Sequence, residues 1–389
     1  MHSGKYVFSQ VMDFSPWHTF DRCVHRYQGN HRVRSFFCSQ HYRAMAIAQL
    51  TRRESLRDLV VCLQSHSDKL YHLGLCGGIY RNTLAKANEK RDWRMYADYA
   101  QRLIALARPL HGPQDSELNL QETVYALDSS TIDLCLSLFP WAPFRNTKAG
   151  IKLHTLLDLQ GNIPSFIEIT DAKLNDVNIL DSLLPEPGAI YVMDRAYLDY
   201  QRLHTFHCFG SYFVVRAKSN TQFRRLYSHA NNRDEGLIHD QSGVLTGIRS
   251  AKRYPDQLRR IKYVDRERDR TLIFLTNNMY LPALTIAELY KNRWQVELFF
   301  KWIKQHLRIK SFYGNSENAV KTQIWIGVSV FVLLAIIRKR MNLEMNLYKI
   351  LQILSTTLFE KTTLTQLLTE YGYKPGLEEP HNQLNLFNY

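Results

Sequence analysis

Between residues 124 and 215, short apolar stretches alternate with turns and amphipathic segments, and this succession constrains the fold more than any other feature. Three strands are predicted first, the last two joined at Gly161-Asn162 as in a hairpin, and helices then alternate with two more strands. The predicted strands are 124–127, 151–158, 163–169, 189–193 and 212–215, and the predicted helices are 175–184 and 198–208. This order indicates a mixed α/β sheet covered by helices.

The composition changes along the chain and predicts a division into domains. Residues before 108 are helical in pattern and rich in arginine, and Pro109, Gly112 and Pro113 mark a linker. A basic, strand-rich stretch at about 218–283 interrupts the later alternation of helices and strands. The sequence therefore predicts an α-helical N-terminal domain (1–108), an α/β domain (120–372) with a β-rich insertion, and a flexible C-terminal tail (373–389).

The N-terminal domain contains a pattern that predicts a helix-turn-helix at about 55–100. Ser55 begins one helix, glycines at 74–78 break the chain, and Asn82 or Thr83 caps the next helix. That second helix carries residue types that contact phosphates and base edges in DNA complexes: Lys86, Asn88, Lys90, Arg91 and Arg94. A helical hairpin with solvated charges is the alternative.

The overall charge favours a polyanionic partner. The 389 residues include 50 Lys and Arg against 36 Asp and Glu, a net charge of +14, and the pI is about 9.4. A net positive charge of this size most often indicates binding to nucleic acid, although binding to a ribosome or a membrane surface would explain the same charge.

Cysteine spacing and hydropathy exclude several classes of protein. The six cysteines form no Cys-x-x-Cys pair and no regular framework, so we expect reduced cytoplasmic thiols rather than a zinc site or disulfides. No signal peptide is apparent, and the longest apolar run, 324–337, is about 14 residues and too short to span a bilayer. The run instead predicts a buried helix that ends at Arg338, Lys339 and Arg340, in a protein with no membrane partner.

One helix is predicted after the insertion, because Thr285 and Glu288 form a capping box ahead of residues 289–307, which contain no Gly or Pro. Within an arc of about 60° on this helix lie four polar side chains, Tyr290, Arg293, Glu297 and Lys304. A carboxylate flanked by cations beside the apolar side of the helix is the composition of a phosphate-handling site. Solvated charges on an ordinary amphipathic helix are the alternative.

Two aspartates follow apolar strands, although aspartate is depleted in strands. Asp128 comes after the first strand and Asp194 after the fourth. If these strands are neighbours and the helix crosses their ends, both aspartates converge with Glu297. Three carboxylates without His or Cys suit Mg²⁺ or Mn²⁺, and two such ions about 3.5–4 Å apart support in-line displacement at phosphorus.

The order Asp, Asp, Glu on such a sheet resembles the RNase H-like fold of DDE transposases. The Tyr-x₂-Arg-x₃-Glu-x₆-Lys spacing is similar to the signature of the insertion-sequence-four (IS4) family of transposases, and residues 87–94 resemble the leading domain of one subgroup. Ala196 departs from the glycine of the family's Asp-Arg-Gly-Tyr form. Further similar strings are Leu127-Asp128-Ser129-Ser130-Thr131, Leu138-Phe139-Pro140-Trp141-Ala142, Lys152-Leu153-His154-Thr155 and Asp194-Arg195-Ala196-Tyr197.

The resemblance implies a role for each matching residue. It implies that the three carboxylates bind the metal ions, and that Tyr290, Arg293 and Lys304 hold phosphates of the cleaved end. Trp294 either stacks on an unpaired base, if cleavage passes through a DNA hairpin, or packs in the core. The implied activity is cut-and-paste transposition by a dimer bound to double-stranded DNA. That DNA includes both the terminal inverted repeats and the target. A metal-dependent nuclease and a domesticated DNA-binding protein are the alternatives.

The tail ends in a short apolar string formed by Gln383, Leu384, Asn385, Leu386 and Phe387. Such motifs on flexible tails commonly dock into grooves of partner proteins. This one resembles the motif by which bacterial proteins bind the replication sliding clamp, so the clamp is a predicted partner. A tail that packs on its own domain is the alternative.

Overall fold

The computed structural model describes residues 4–112, 120–145, 148–230, 233–266, 269–306 and 312–370. The strands of these segments are β1 Val124–Leu134, β2 Pro143–Arg145, β3 Lys148–Asp158, β4 Ile163–Asp171, β5 Ile190–Met193, β6 Tyr212–Arg216, β7 Phe223–Ser228, β8 Leu237–Leu245, β9 Leu258–Asp265 and β10 Arg270–Thr276. The α-helices are α1 Val7–Asp13, α2 Trp17–Arg26, α3 Cys38–Leu50, α4 Leu56–Gln64, α5 Arg81–Lys90, α6 Arg94–Ala107, α7 Tyr200–Cys208, α8 Ile248–Arg253, α9 Ala283–Asn292, α10 Trp294–His306, α11 Glu317–Arg340, α12 Leu347–Thr357 and α13 Leu364–Glu370.

The strands form one large mixed sheet, as the succession of apolar stretches predicts. β1 is an inner strand, antiparallel to β3 and parallel to β5, while β4 pairs with β3 and β6 pairs with β5 in parallel. Apolar side chains alternate between the two faces of these strands. Each face therefore packs against its own layer of helices.

Two predicted helices differ from those observed. The segment predicted as a helix at 175–184 forms only a short 3-10 helix, Asp176–Asp181. The helix predicted from residue 198 begins at Tyr200, because the Asp199 side chain accepts a hydrogen bond from the backbone N–H of Arg202 at 3.1 Å and caps it.

The basic stretch at 218–283 forms the strands β7 to β10, and the β-rich insertion predicted there stays a prediction. β10 pairs with β6, and β9, β8 and β7 follow in order, so these strands extend the central sheet. Local sequence patterns predict strands here but not this pairing, because β6 and β10 join residues about 60 positions apart. Some of the basic residues are structural, and Arg259 is buried.

The apolar run predicted to be a buried helix lies within α11, whose Ser316 cap accepts a hydrogen bond from the N–H of Ala319. By length and composition α11 could cross a membrane, but 94% of its most apolar window is buried inside the protein. Helices α3, α5 and α6 pack against it, and all belong to one hydrophobic core. The boundary predicted at residue 108 is thus not a break in packing, and an independent N-terminal domain stays a prediction.

The predicted helix-turn-helix segment differs in detail from expectation. Ser55 caps α4 as predicted, but α5 begins at Arg81 and neither Asn82 nor Thr83 caps it. Asn88 is fully buried and bonded to the ring of His41, and Arg91 donates to backbone carbonyls. These two side chains hold α5 in place and are not available to DNA.

A buried ion pair joins the sheet extension to the start of α9. The Arg259 guanidinium donates to both carboxylate oxygens of Asp240 at 2.7 Å, and both side chains are almost fully buried. A third N–H of Arg259 donates to the carbonyl of Leu281, immediately before α9, at 2.6 Å. The pair therefore fixes the position from which α9 begins.

Replacing one member of this pair should unfold the protein more easily. Arg259→Ala leaves the Asp240 carboxylate buried without a cation, and we expect the free energy of unfolding to fall by about 3–5 kcal/mol in urea titrations. Arg270→Ala, an exposed arginine at the start of β10, should change it by less than about 0.5 kcal/mol. Equal effects of the two substitutions would contradict the anchoring role.

Candidate active site

The two predicted aspartates lie side by side at one edge of the sheet. The parallel register of β1 and β5 ends with Leu127 opposite Met193, so Asp128 and Asp194 are the next residues on neighbouring strands. The sequence suggested that the first strand ends before Asp128, but the strand is longer. β1 continues to Leu134 through pairing with β3. The parallel pairing alone ends at the aspartates.

The helix predicted across these strand ends is interrupted. α9 ends at Asn292, Arg293 lies between the helices with φ −50° and ψ −29°, and α10 begins at Trp294. The predicted capping box is also wrong, because α9 begins at Ala283 with Pro282 at its N-cap, so Thr285 already lies inside the helix. Neither difference moves the polar stripe away from the sheet edge.

Arg293 bridges two of the three carboxylates. Its Nη1 donates to Oδ2 of Asp128 at 2.5 Å, and its Nη2 donates to Oε1 of Glu297 at 2.8 Å. The Arg293 side chain is only 14% exposed, whereas that of Glu297 is 46% exposed. Arg293 therefore carries its charge into the protein, and Glu297 faces the opening of the site.

The other two members of the stripe contact the residue after β5 and the part of β1 beyond Asp128. The Tyr290 hydroxyl donates to Oδ1 of Asp194 at 3.1 Å, and the Lys304 ammonium donates to the backbone carbonyl of Thr131 in β1 at 2.8 Å. All four side chains that the helical spacing grouped together thus meet β1, the end of β5, or each other. Their chemical roles stay predictions.

Burial and charge shift the pKa values of this cluster. Burial raises the pKa of the Asp128 carboxyl, and the nearby Arg293 guanidinium offsets this only in part. Burial would lower the pKa of Arg293, but the negative charges of Asp128 and Glu297 outweigh it, and the net pKa is raised. Burial and the Asp194 carboxylate raise the pKa of Tyr290 to about 12. Arg293 therefore stays charged and Tyr290 stays a hydrogen-bond donor.

Across the described segments, no three His, Cys, Asp or Glu side chains form a ready-made metal-ligand group. The donor set at the sheet edge nevertheless fits a hard divalent cation, because it consists of carboxylates. The Arg293 guanidinium, itself a cation, lies between Asp128 and Glu297 and pairs with both. The residues present therefore fit a metal ion that takes over the guanidinium's contacts.

Trp294 is 45% exposed, next to Arg293, and does not belong to the described hydrophobic core. The sequence left base stacking and core packing open for Trp294, and its exposure disfavours core packing.

A polar network beneath Asp128 was not predicted from the sequence. On the opposite face of β1, the Ser129 hydroxyl donates to Oδ1 of Asp176 at 2.6 Å, and the Lys152 ammonium lies 2.9 Å from the same oxygen. The Thr155 hydroxyl, opposite Asp128 in the register, is buried without a hydrogen-bond partner among the described residues. Ser129, Lys152 and Thr155 belong to strings that carried the family resemblance, which was the available signal.

Comparisons with known proteins agree on one class. The family model described as "Transposase DDE domain" matches residues 119–333, more than half of the chain. A second model, "Domain of unknown function (DUF4372)", matches residues 3–76. The chain belongs to the DDE transposase family, whose members cut DNA and transfer strands with the help of divalent metal ions on an RNase H-like fold.

Two relatives also carry transposase names. A Sinorhizobium fredii protein named as a transposase (y4zB) is 33% identical over 65% of this chain and 72% of its own length. A Geobacillus stearothermophilus protein named as a transposase for insertion sequence element IS5377 is 30% identical over 61% of this chain and 63% of its own length. Both relatives are thus named for the class of protein that the family model defines.

A solved structure, the piggyBac transposase synaptic complex with hairpin DNA, aligns with a TM-score of 0.44 at 10% identity. The alignment covers 95% of this chain and 80% of that chain. This likeness is too low to carry an argument.

The bridge made by Arg293 should contribute to stability. Arg293→Met keeps the side-chain length but leaves Asp128 and Glu297 without their shared cation, and we expect the free energy of unfolding to fall by about 2–3 kcal/mol. Arg195→Met, an exposed arginine one residue after Asp194, should have an effect below about 0.5 kcal/mol. Chemical unfolding in EDTA measures both, and an Arg293→Met value as small as the control would exclude the bridge.

Proposed function

We propose that this transposase belongs to the IS4 family and that Asp128, Asp194 and Glu297 hold its metal ions, Mg²⁺ or Mn²⁺, two at a time. One observation carries the proposal. The register of β1 and β5 sets Asp128 beside Asp194, and Arg293 ties Glu297 to Asp128. The Tyr-Arg-Glu-Lys spacing supports the family assignment, since these four side chains contact β1, the residue after β5, or one another.

The chemistry follows from this arrangement. Bound divalent ions supply Lewis acids for the attacking and leaving oxygens of the phosphodiester. In the first step a water oxygen bonds to phosphorus and the bond from phosphorus to O3′ breaks, which frees a 3′-OH and a 5′-phosphate. In the second step that 3′-OH attacks a phosphodiester of the target, so one ester bond forms as another breaks. The strands are joined without an external energy source.

The positively charged residues would hold the substrate during both steps. The two Nη groups of Arg293 donate to Asp128 and Glu297, and a metal ion bound by those carboxylates would free them to donate to a phosphate. A guanidinium is suited to two parallel contacts with phosphate oxygens. Tyr290 and Lys304 flank it and would contact neighbouring phosphates.

Trp294 supports a cleavage route through a DNA hairpin. Trp294 follows Arg293 in the chain and its side chain is half-exposed, so we propose that an unpaired base stacks on it. We infer that the enzyme works as a dimer, because two element ends must be cut and joined to one target. We also infer that it acts in the bacterial cytoplasm.

The carboxylates can be tested with purified protein, Mg²⁺ or Mn²⁺, and DNA carrying the inverted repeats that flank the gene. We expect Asp128→Asn, Asp194→Asn and Glu297→Gln each to lower cleavage and joining by at least about 10³-fold, because each removes a charged metal ligand. Asp133→Asn, an exposed aspartate on the same strand, should retain activity.

The products of this assay also separate the alternatives. Joined products support a transposase, cleavage without joining a nuclease, and binding alone a domesticated DNA-binding protein. A hairpin band would support the role of Trp294. Full activity of Asp128→Asn would show that the metal-site assignment is wrong.

The sliding clamp is a further proposed partner. The string with Gln383, Leu384, Leu386 and Phe387 lies outside the described residues, so the proposal rests on its sequence alone. We expect the full chain to retain purified bacterial clamp in a pull-down, and Leu386→Ala with Phe387→Ala to abolish retention. Asn385→Ala, at the variable position of the motif, is the control. Equal retention by both variants would remove the clamp from the list of partners.

A further inference from the structure

A second basic site lies beside the candidate active site. A cavity of about 310 Å³ is bounded by the ends of β6 and β8 and by α8. Three of its lining residues are cations and several others can donate hydrogen bonds to an anion. The cations are Lys218, Arg249 and Arg253, and the neutral donors are the side-chain amides of Asn220 and Gln222.

The charge of this cavity is not neutralised within the protein. No lining residue is acidic, and none of Lys218, Arg249 and Arg253 forms an ion pair with a carboxylate of the described segments. The Lys218 ammonium makes one long contact, 3.5 Å, with the backbone carbonyl of Leu198. Three cations around one cavity repel one another, so a bound anion would lower the energy of the group.

The cavity lies at the same edge of the sheet as the carboxylates. β5 and β6 are parallel and Met193 pairs with Val215, so the residues after each strand project from the same end. Asp194 follows β5 and Lys218 follows β6. Since neighbouring strands are about 4.8 Å apart, the cavity is one strand further along the edge.

The cavity and the candidate active site are connected by a short stretch of chain and by positive charge. Leu198, in the cavity wall, comes four residues after Asp194. Arg216, at the end of β6, comes directly after Val215 and acts electrostatically on Tyr290 in the candidate active site. A polyanion held at the carboxylates would therefore meet positive charge along β6 as far as the cavity.

We propose that this cavity binds a backbone phosphate of the DNA strand that runs from the carboxylate site across the end of β6. The inference rests on the proposed function, because it assumes DNA in that site. Arg249 and Arg253 supply charged donors, and the amides of Asn220 and Gln222 supply neutral ones of the kinds that contact DNA phosphates. Such contacts position the strand and carry no sequence information.

The test compares two charge-matched double variants of the full chain. Arg249→Ala with Arg253→Ala removes two cavity cations, whereas Lys349→Ala with Lys361→Ala removes two exposed cations on and after α12, outside the cavity. Binding to a fluorescent duplex of arbitrary sequence is measured by anisotropy in EDTA over a range of KCl concentrations. Circular dichroism checks that both variants are folded.

We expect the cavity variant to bind about tenfold more weakly and to lower the slope of log affinity against log salt by about 1–2, because each lost phosphate contact releases about one counterion fewer. The control variant should keep the wild-type slope. A cavity variant with an unchanged slope would overturn the proposal. Thermal stabilisation of wild type but not of the cavity variant by inorganic phosphate, with equal DNA slopes, would also overturn it, in favour of a small-anion site.

The outcome is separable from that of the proposed function. If Asp128→Asn abolishes cleavage while the cavity variant keeps the wild-type slope, the carboxylate assignment stands and the cavity inference fails. If the slope falls as expected but carboxylate substitutions leave cleavage intact, the cavity binds DNA and the metal-site assignment is wrong.

Discussion

The parallel pairing of β1 with β5 is the constraint on which the site depends. It sets Asp128 and Asp194 side by side at one edge of the sheet. Burial and the nearby Glu297 carboxylate both disfavour the charged form of Asp128. The protein offsets this with donors from α9 and from the residue between α9 and α10. Tyr290 donates to Asp194, and Arg293 to Asp128.

The position of that helix pair depends in turn on distant parts of the chain. Phe299 and Trp302 of α10 pack edge-on against Phe331 of α11, with ring centroids 5.2 and 4.7 Å apart. α11 is buried among the N-terminal helices, so residues before 108 support the helix that carries Glu297. On the opposite side, Arg259 holds the chain just before α9. The polar stripe on α9 and α10 is therefore held in position at both ends. A site that must place three carboxylates requires such rigid support.

The sequence predicts those parts of the fold that local patterns control. Apolar strands of period two and a helical stripe are visible in one dimension, so the central strands and the grouping of Tyr290 with Arg293 could be found. Features that depend on distant partners could not. The pairing of β10 with β6 is long-range, and no Gly or Pro announces the interruption at Arg293. Asn88 has the residue type of a DNA contact, yet only tertiary structure shows that it bonds to His41.

Arg293 connects the metal and DNA aspects of the proposed function. Its guanidinium now supplies the positive charge that Asp128 and Glu297 require. A divalent ion bound by those carboxylates would supply that charge instead, and Arg293 would then be a buried cation in need of an anion. A DNA phosphate is such an anion, and the Nη groups that the carboxylates release would be donors for it. Under the proposed roles, metal and DNA binding favour each other, because each satisfies a charge that the other leaves unpaired.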